Sequence, residues 1–137
     1  MSATLKLEIV TPEAKIFSDE VTMVTLTGVD GEMGVYPGHM PLMTQMVAGE
    51  VLAQKAGTVI SLAVGDGFVQ VTRGRVAILT DMAVKLEDID ETAAEQARQK
   101  AEARLAEKLS GEEAATVHAA LAHATAQLKV KQRHKKV

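Results

Sequence analysis

The chain has no cysteine and no tryptophan among its 137 residues. Disulfides, thiolate nucleophiles and cysteine-based zinc sites are therefore excluded. Aromatic bulk is limited to Phe17, Tyr36 and Phe68, so any core has to be filled by aliphatic side chains. No run reaches the roughly 18 apolar residues of a membrane-spanning helix. The stretch Met1–Lys6 lacks the basic region and apolar segment of a signal peptide. These absences together point to a soluble protein of the cytoplasm.

What is present falls into two halves with different periods. Leu5, Leu7 and Ile9 alternate with Lys6 and Glu8, the period-2 pattern of a half-buried strand, which Thr11-Pro12 ends. Further β-rich runs follow at Val21–Thr27, Leu42–Met46, Val51–Gln54, Val59–Val64, Phe68–Thr72 and Arg75–Thr80. Ala56-Gly57 and Arg73-Gly74 are hairpin-length breaks between such runs. Many short strands with no helical period between them predict an antiparallel β-sandwich or barrel over residues 1–84.

Residues 85–137 read as an α-helical hairpin. Asp88 with Glu91 has capping-box spacing, and Asp90 competes as N-cap. Ala94, Ala97, Ala101, Leu105 and Leu109 then recur every three or four residues. Ser110-Gly111 breaks the helix, and Ser110 with Glu113 starts another, whose seam is Ala114, Val117, Leu121, Ala124 and Leu128. Alanine dominates these seams, and burying alanine gains little at roughly 25 cal/mol per Å². Docking against the sandwich should be weak, while alanine, glutamate and the basic residues keep the helices intrinsically stable. Unwound into one rod at 1.5 Å per residue, the arm would reach about 70 Å.

The formal net charge of −3 conceals an asymmetry. The first half is acidic, whereas Lys129, Lys131, Arg133, Lys135 and Lys136 follow one another near the C-terminus with no acid among them. Such a tail suits an acidic protein surface or an anionic membrane better than nucleic acid, for which no interleaved aromatics or RNA-binding signature exist. Arg98, Lys100, Arg104 and Lys108 lie on the first helix, where Glu95–Arg98 and Arg104–Glu107 have i, i+3 spacing.

The segment Gly31–Met43 carries the densest information. It joins Gly31, Gly34, Pro37, Gly38 and Pro41 into one turn-rich loop of specified shape. Gly28, Gly31 and Gly34 match neither the P-loop nor the dinucleotide fingerprint and read as turn glycines. His39 has Asp30 and Glu32 nearby in sequence, but no nucleophile constellation that would use it as a base. Met33 and Met40 suit an adaptable apolar contact, while Met43 and Met46 read as core fillers. His118, His123 and His134 lack metal-ligand spacing and read as solvent-facing or hairpin-edge residues.

Gly31-Glu32-x-Gly34-x-x-Pro37-Gly38-His39-x-Pro41-Leu42 resembles the signature of the epsilon subunit of F-type rotary ATP synthases. Val64-Gly65-Asp66-Gly67-Phe68-Val69 and the charged, alanine-rich helical end extend the resemblance over essentially the whole chain. It implies a non-catalytic rotor subunit, without cofactor or metal, at the cytoplasmic face of a bacterial inner membrane. Its sandwich would bind the gamma subunit and the c-ring through Glu32, Met33, His39, Met40 and Pro41. Its arm would extend into the catalytic head, where Arg98, Arg104 and the tail cations Lys129, Lys131, Arg133, Lys135 and Lys136 meet an acidic segment of a beta subunit, beside alpha, and block hydrolysis. Some epsilon subunits bind ATP through an I/L-D-x-x-R-A motif at the first helix. Here Ile89 and Asp90 are present but Ala93 replaces the arginine, which removes the planar phosphate-binding fork and reduces the pair to a helix staple and cap. The rival is a free-standing sandwich binding module whose basic arm is recruited to nucleic acid or anionic lipid.

Overall fold

A computed structural model describes residues 3–134. Ten strands come first: β1 (Leu5–Val10), β2 (Lys15–Val21), β3 (Met23–Gly28), β4 (Gly31–Val35), β5 (Leu42–Met46), β6 (Gly49–Lys55), β7 (Thr58–Val64), β8 (Gly67–Thr72), β9 (Arg75–Thr80) and β10 (Ala83–Lys85). A short 3₁₀ turn, Leu86–Asp88, leads into α1 (Glu91–Leu105) and α2 (Gly111–Arg133). The strands follow the order β10-β7-β6-β3-β5-β8-β9-β1-β2, with β4 paired to β3. The sheet folds over on itself at β3, which bonds β6 with its first half and meets β5 at Gly28. The architecture is the expected sandwich followed by two helices.

Inward side chains from both layers form one aliphatic core: Leu5, Leu7, Ile9, Val24, Leu26, Val51, Leu62, Val69 and Ile78 are among its fully buried members. Every member precedes Val84, so the sandwich closes without help from the helices. Phe17 is the single aromatic in it; Phe68 and Tyr36 are more than half exposed.

Three features depart from the sequence reading. Strand β2 has only Phe17 and Val21 buried, so its polar run hid it. The strand β4 occupies part of what reads as loop, because Met33 and Val35 alternate inward despite the flanking glycines. The pairing of β1 with β9 is parallel, from Lys6 opposite Arg75 to Val10 opposite Leu79. Alternation looks the same whichever way a neighbour runs, which is why the direction was not legible. The two-residue turn at Ala56-Gly57 holds both residues at positive φ, the mirror-image turn that suits the twist of a tight hairpin.

Asp90, rather than Asp88, caps α1: its carboxylate accepts from the Ala93 N–H at 3.0 Å. The helix stops at Leu105, so Leu109 lies in the connection instead of the helix. Ser110 and Glu113 form the reciprocal capping box at the start of α2.

Candidate functional site

The arm lies docked on the sandwich, and the contacts that hold it are few. Ile89 and Val130 close over Ala63 of β7, with Val84 and Leu86 beside them. Ile89 therefore takes part in the docking surface. Ala124, Ala126 and Leu128 complete the buried side of α2. Alanine supplies much of that surface, so the apolar gain is modest.

Two carboxylates of the sandwich add polar anchors. Glu50, on β6, is nearly covered. It accepts a hydrogen bond from Ser61 Oγ on β7. From α2, Arg133 Nη1 lies 2.7 Å from its Oε1 and His134 Nε2 lies 2.7 Å from its Oε2. Asp81, after β9, has its Oδ2 3.0 Å from His123 Nε2. That arrangement falls short of a hydrogen bond but forms an ion pair once the imidazole is protonated. Gly65 lies beneath this pair: a Cβ there would overlap Asp81 Oδ1 and come 3.0 Å from His123 Nε2. The expectation that the tail has no acidic neighbour is thus corrected at Arg133, and two of the histidines read as solvent-facing or hairpin-edge have carboxylate partners.

The remaining arm cations are distributed unevenly. Arg98 is clamped by Glu95 and, at 2.8 Å, by Glu102. The hydrogen bond from Arg98 holds Glu95 below the usual carboxylate range against the effect of burial, and the same bond raises the guanidinium. Arg104 lies 3.7 Å from Glu107 and 3.5 Å from Glu113, tying the two helices near their connection. Lys129 is exposed and Lys131 half-buried. Lys135 and Lys136 lie outside the described residues. A groove of about 280 Å³ separates α2 from the sheet, lined by Thr25, Thr27, Glu32, Glu50, Lys129 and Arg133 among others.

The five residues expected to share one contact loop do not sit together. Glu32 and Met33 belong to β4, opposite Thr27 and Leu26, close to the β3–β4 turn. Met33 packs against the core, and Glu32 faces the groove beneath α2. His39, Met40 and Pro41 lie beyond the other end of β4, which is roughly 10 Å from Glu32 at the usual strand rise. There Gly38 and His39 fold down beside Leu5, Gly74 and Arg75. The His39 N–H donates to Tyr36 O at 3.1 Å, and His39 Nδ1 lies 2.7 Å from Met40 O. Met40 is the most exposed large apolar residue among those described, at 79%. Met43, expected in the core, is 67% exposed, whereas Met46 is buried.

Met43 belongs to a larger outward face that sequence reasoning missed. Phe68 and Leu79 are cross-strand partners on β8 and β9, each half exposed, and Leu79 adjoins Val10 across the parallel pair. Phe68 and Leu79 thus form an outward aromatic–aliphatic pair on the sheet surface. Only the register reveals it, since either strand alone reads as ordinary alternation.

At the first helix, Asp90 is engaged in capping, Ile89 is buried, and Ala93 offers no donor beyond its backbone. Among the described residues no three acidic or histidine side chains converge as a metal site. Nor, among the described residues, is any helix long and apolar enough to cross a membrane.

The architecture is a closed β-sandwich followed by a helical hairpin docked on it. The models of the ATP synthase delta/epsilon chain match it in two parts, the beta-sandwich domain over residues 4–86 and the long alpha-helix domain over 87–132. The ATP synthase epsilon chain of Dehalococcoides mccartyi is 43% identical over 98% of this chain and 96% of its own length. That of Herpetosiphon aurantiacus is 42% identical over 92% of this chain and 93% of its own. A chain in the Euglena gracilis mitochondrial ATP synthase OSCP/F1/c-ring structure superposes with a TM-score of 0.75 at 26% identity, covering 95% of this chain and 82% of that one. A chain of the Tetrahymena thermophila central stalk/c-ring structure, at 10% identity and TM-score 0.55, shares the fold. This chain belongs to the epsilon-chain family of F-type ATP synthases.

Proposed function

We propose that the sandwich is the docking unit of a rotor subunit and that residues 85–137 form its regulatory arm, at the cytoplasmic face of a bacterial inner membrane. The gamma subunit takes the apolar face of Met43, Phe68 and Leu79, and the His39–Pro41 loop that leads into Leu42. Glu32, at the opposite end of β4, meets the polar loops of the c-ring. Torque then passes from proton flow through this subunit to the head without chemistry of its own.

The arm acts as the brake on hydrolysis. The observation that carries this reading is the sparse docking: one small apolar cluster and two carboxylate anchors hold nearly fifty residues of helix-forming chain. A rival acidic surface on the beta subunit offers Arg133 the same chemistry that Glu50 does, so extension exchanges one carboxylate partner for another. Extension also frees Lys129 from the groove. Arg98 and Arg104 must leave their own glutamates before they can join, which makes them secondary to the tail.

The test is ATP hydrolysis by the cognate alpha–beta–gamma head with the full chain added and with a version ending at Leu86. The truncation keeps every core residue of the sandwich. Inhibition by the full chain and relief by the truncation is the expected outcome. Equal inhibition by both would move the brake into the sandwich. If neither form bound or altered the head, the rotor reading would fail and the free-standing binding module would lead.

A further inference from the structure

We propose that Met40 and Met43 are oxidation sites for peroxide, and that a sulfoxide at Met43 disables the apolar face for its partner. The first half stands on exposure alone; the second rests on the reading of that face as the docking surface for gamma.

The chain has no thiol, so its thioethers are its readily oxidised sulfurs, and the fold sorts them by access. Met40 and Met43 stand largely in solvent, whereas Met46, three residues further along the same strand as Met43, is buried. Met33 packs against the core. Met23 Cε lies only 3.1 Å from where a Cβ of Gly34 would stand. Met82 is half-buried, and its Sδ accepts from Gln127 Nε2 of α2 at 4.0 Å. Reaction at an exposed thioether needs hydrogen peroxide and nothing else. The sulfur lone pair attacks one peroxide oxygen, the S–O bond forms as the O–O bond breaks, and the departing hydroxide takes the proton that the first oxygen gives up. One thioether and one peroxide become one sulfoxide and one water, with sulfur oxidised by two electrons and peroxide reduced by two. An apolar, flexible side chain thereby becomes a polar one.

Position decides the consequence. Met43 faces Gln70 across the β5–β8 pair, and Phe68 faces Gln45, two residues further along β5. Met43 and Phe68 are thus diagonal neighbours on the outward side, at a separation that long and aromatic side chains span. Phe68 in turn faces Leu79 on β9. A sulfoxide oxygen on Met43 therefore enters the apolar face itself. A partner shaped to cover a thioether strips water from that oxygen and supplies no donor in return, which costs binding. Met40 lies in the loop before β5, at the margin of the face, so its sulfoxide weakens binding less. Once a partner is seated, Met43 is covered and protected. Oxidation then selects against chains that have not yet been assembled.

The full chain is treated with hydrogen peroxide, alone and in complex with the cognate gamma subunit, and sulfoxide at each methionine is followed by peptide mass spectrometry. In the free chain Met40 and Met43 should oxidise about tenfold or more ahead of Met46, and in denaturant the rates should converge. Gamma should slow Met43. Equal rates for Met43 and Met46 in the folded chain overturn the sites. Affinity for gamma is then measured before and after treatment. Oxidation should weaken it about tenfold, the effect of burying one polar group without a partner, and methionine sulfoxide reductases acting on both epimers should restore it. The variant Met43→Leu should lose most of this sensitivity, each chain being compared with its own untreated form so that basal affinity drops out. Unchanged affinity in the oxidised unsubstituted chain, or an equal loss in Met43→Leu, overturns the consequence drawn for Met43. If the untreated chain does not bind gamma at all, the docking reading of the face fails and that consequence with it, while the mass spectra still decide the two sites by themselves.

Discussion

Replacing Gly67 by alanine should destabilise the sandwich, whereas the same change two residues earlier should spare it and loosen the arm. Gly67 faces Thr80 across the β8–β9 pair. A Cβ there would overlap the Leu79 carbonyl oxygen and lie 2.9 Å from both Leu79 C and Thr80 Cα. All three are backbone atoms of a paired strand, so relief requires the two strands to part. Overpacking of this kind costs about 1–3 kcal/mol. For a domain of this size each kcal/mol lowers Tm by about 4–8 °C, so a loss of roughly 5–20 °C is expected. At Gly65 the overlapping atom is the end of the Asp81 side chain, which is half exposed and free to swing away. Gly65→Ala should therefore leave Tm within about 2 °C but break the Asp81–His123 pair, a loss of about 0.2–1 kcal/mol in docking. Thermal unfolding followed by circular dichroism on the version ending at Leu86 isolates the sandwich. A full chain carrying a donor–acceptor dye pair on cysteines introduced for the exposed Gln54 and Gln132 reports docking. Equal Tm values for Gly67→Ala and the unsubstituted sandwich would refute the steric argument. A Gly65→Ala loss as large as that of Gly67→Ala would refute the distinction between side-chain and backbone obstruction.

Two further outcomes follow from local chemistry. Glu8 is covered on the outer surface of β1, where Lys15 at 2.8 Å and Arg75 bracket it. The Lys15 hydrogen bond outweighs the effect of burial and holds the carboxyl below its ordinary value, with Arg75 assisting. A lowered folded value means the stabilisation is complete above the unfolded value, about 4.3, and is lost as pH falls through the folded one. Chemical denaturation should accordingly find Glu8→Gln less stable than the unsubstituted chain at pH 7, with the gap closing below about pH 4; a gap that persists in acid would contradict the assignment. Ser110→Ala removes one half of the capping box and should cost α2 about 1 kcal/mol, read as faster amide exchange over its first turn with the sandwich unchanged.

The class of fold was legible because strand and helix periods do not overlap, and the switch near Val84 is abrupt. The Ser110–Glu113 box could be placed to the residue since its chemistry is entirely local. Legibility failed where a strand was polar, as in β2, or glycine-dense, as in β4, because composition there outvoted a correct alternation. Glu32 and His39 looked like neighbours for the same reason: seven residues of separation mean proximity in a loop but opposite ends of a strand. Glu50 and Asp81 were invisible as anchors. Nothing in their own surroundings marks them, and their partners lie more than forty residues away on another element. The apolar face of Phe68 and Leu79 needed the register of two strands, which no single run supplies.

The parallel seat of β1 has a consequence for how the molecule is made. Its outer neighbour β2 is available at once, but its inner neighbour β9 is synthesised some seventy residues later, as the pairing of Lys6 with Arg75 records. Strand β1, made well before β9, is therefore among the last to be fully bonded, and the β1–β2 hairpin must wait with one edge uncovered. Long waits for distant partners slow folding and expose chains to association. The helical arm emerges after β9, when the sandwich is already able to close. It condenses on a finished surface and takes no part in making it, so an arm that leaves that surface removes nothing the sandwich needed in order to form.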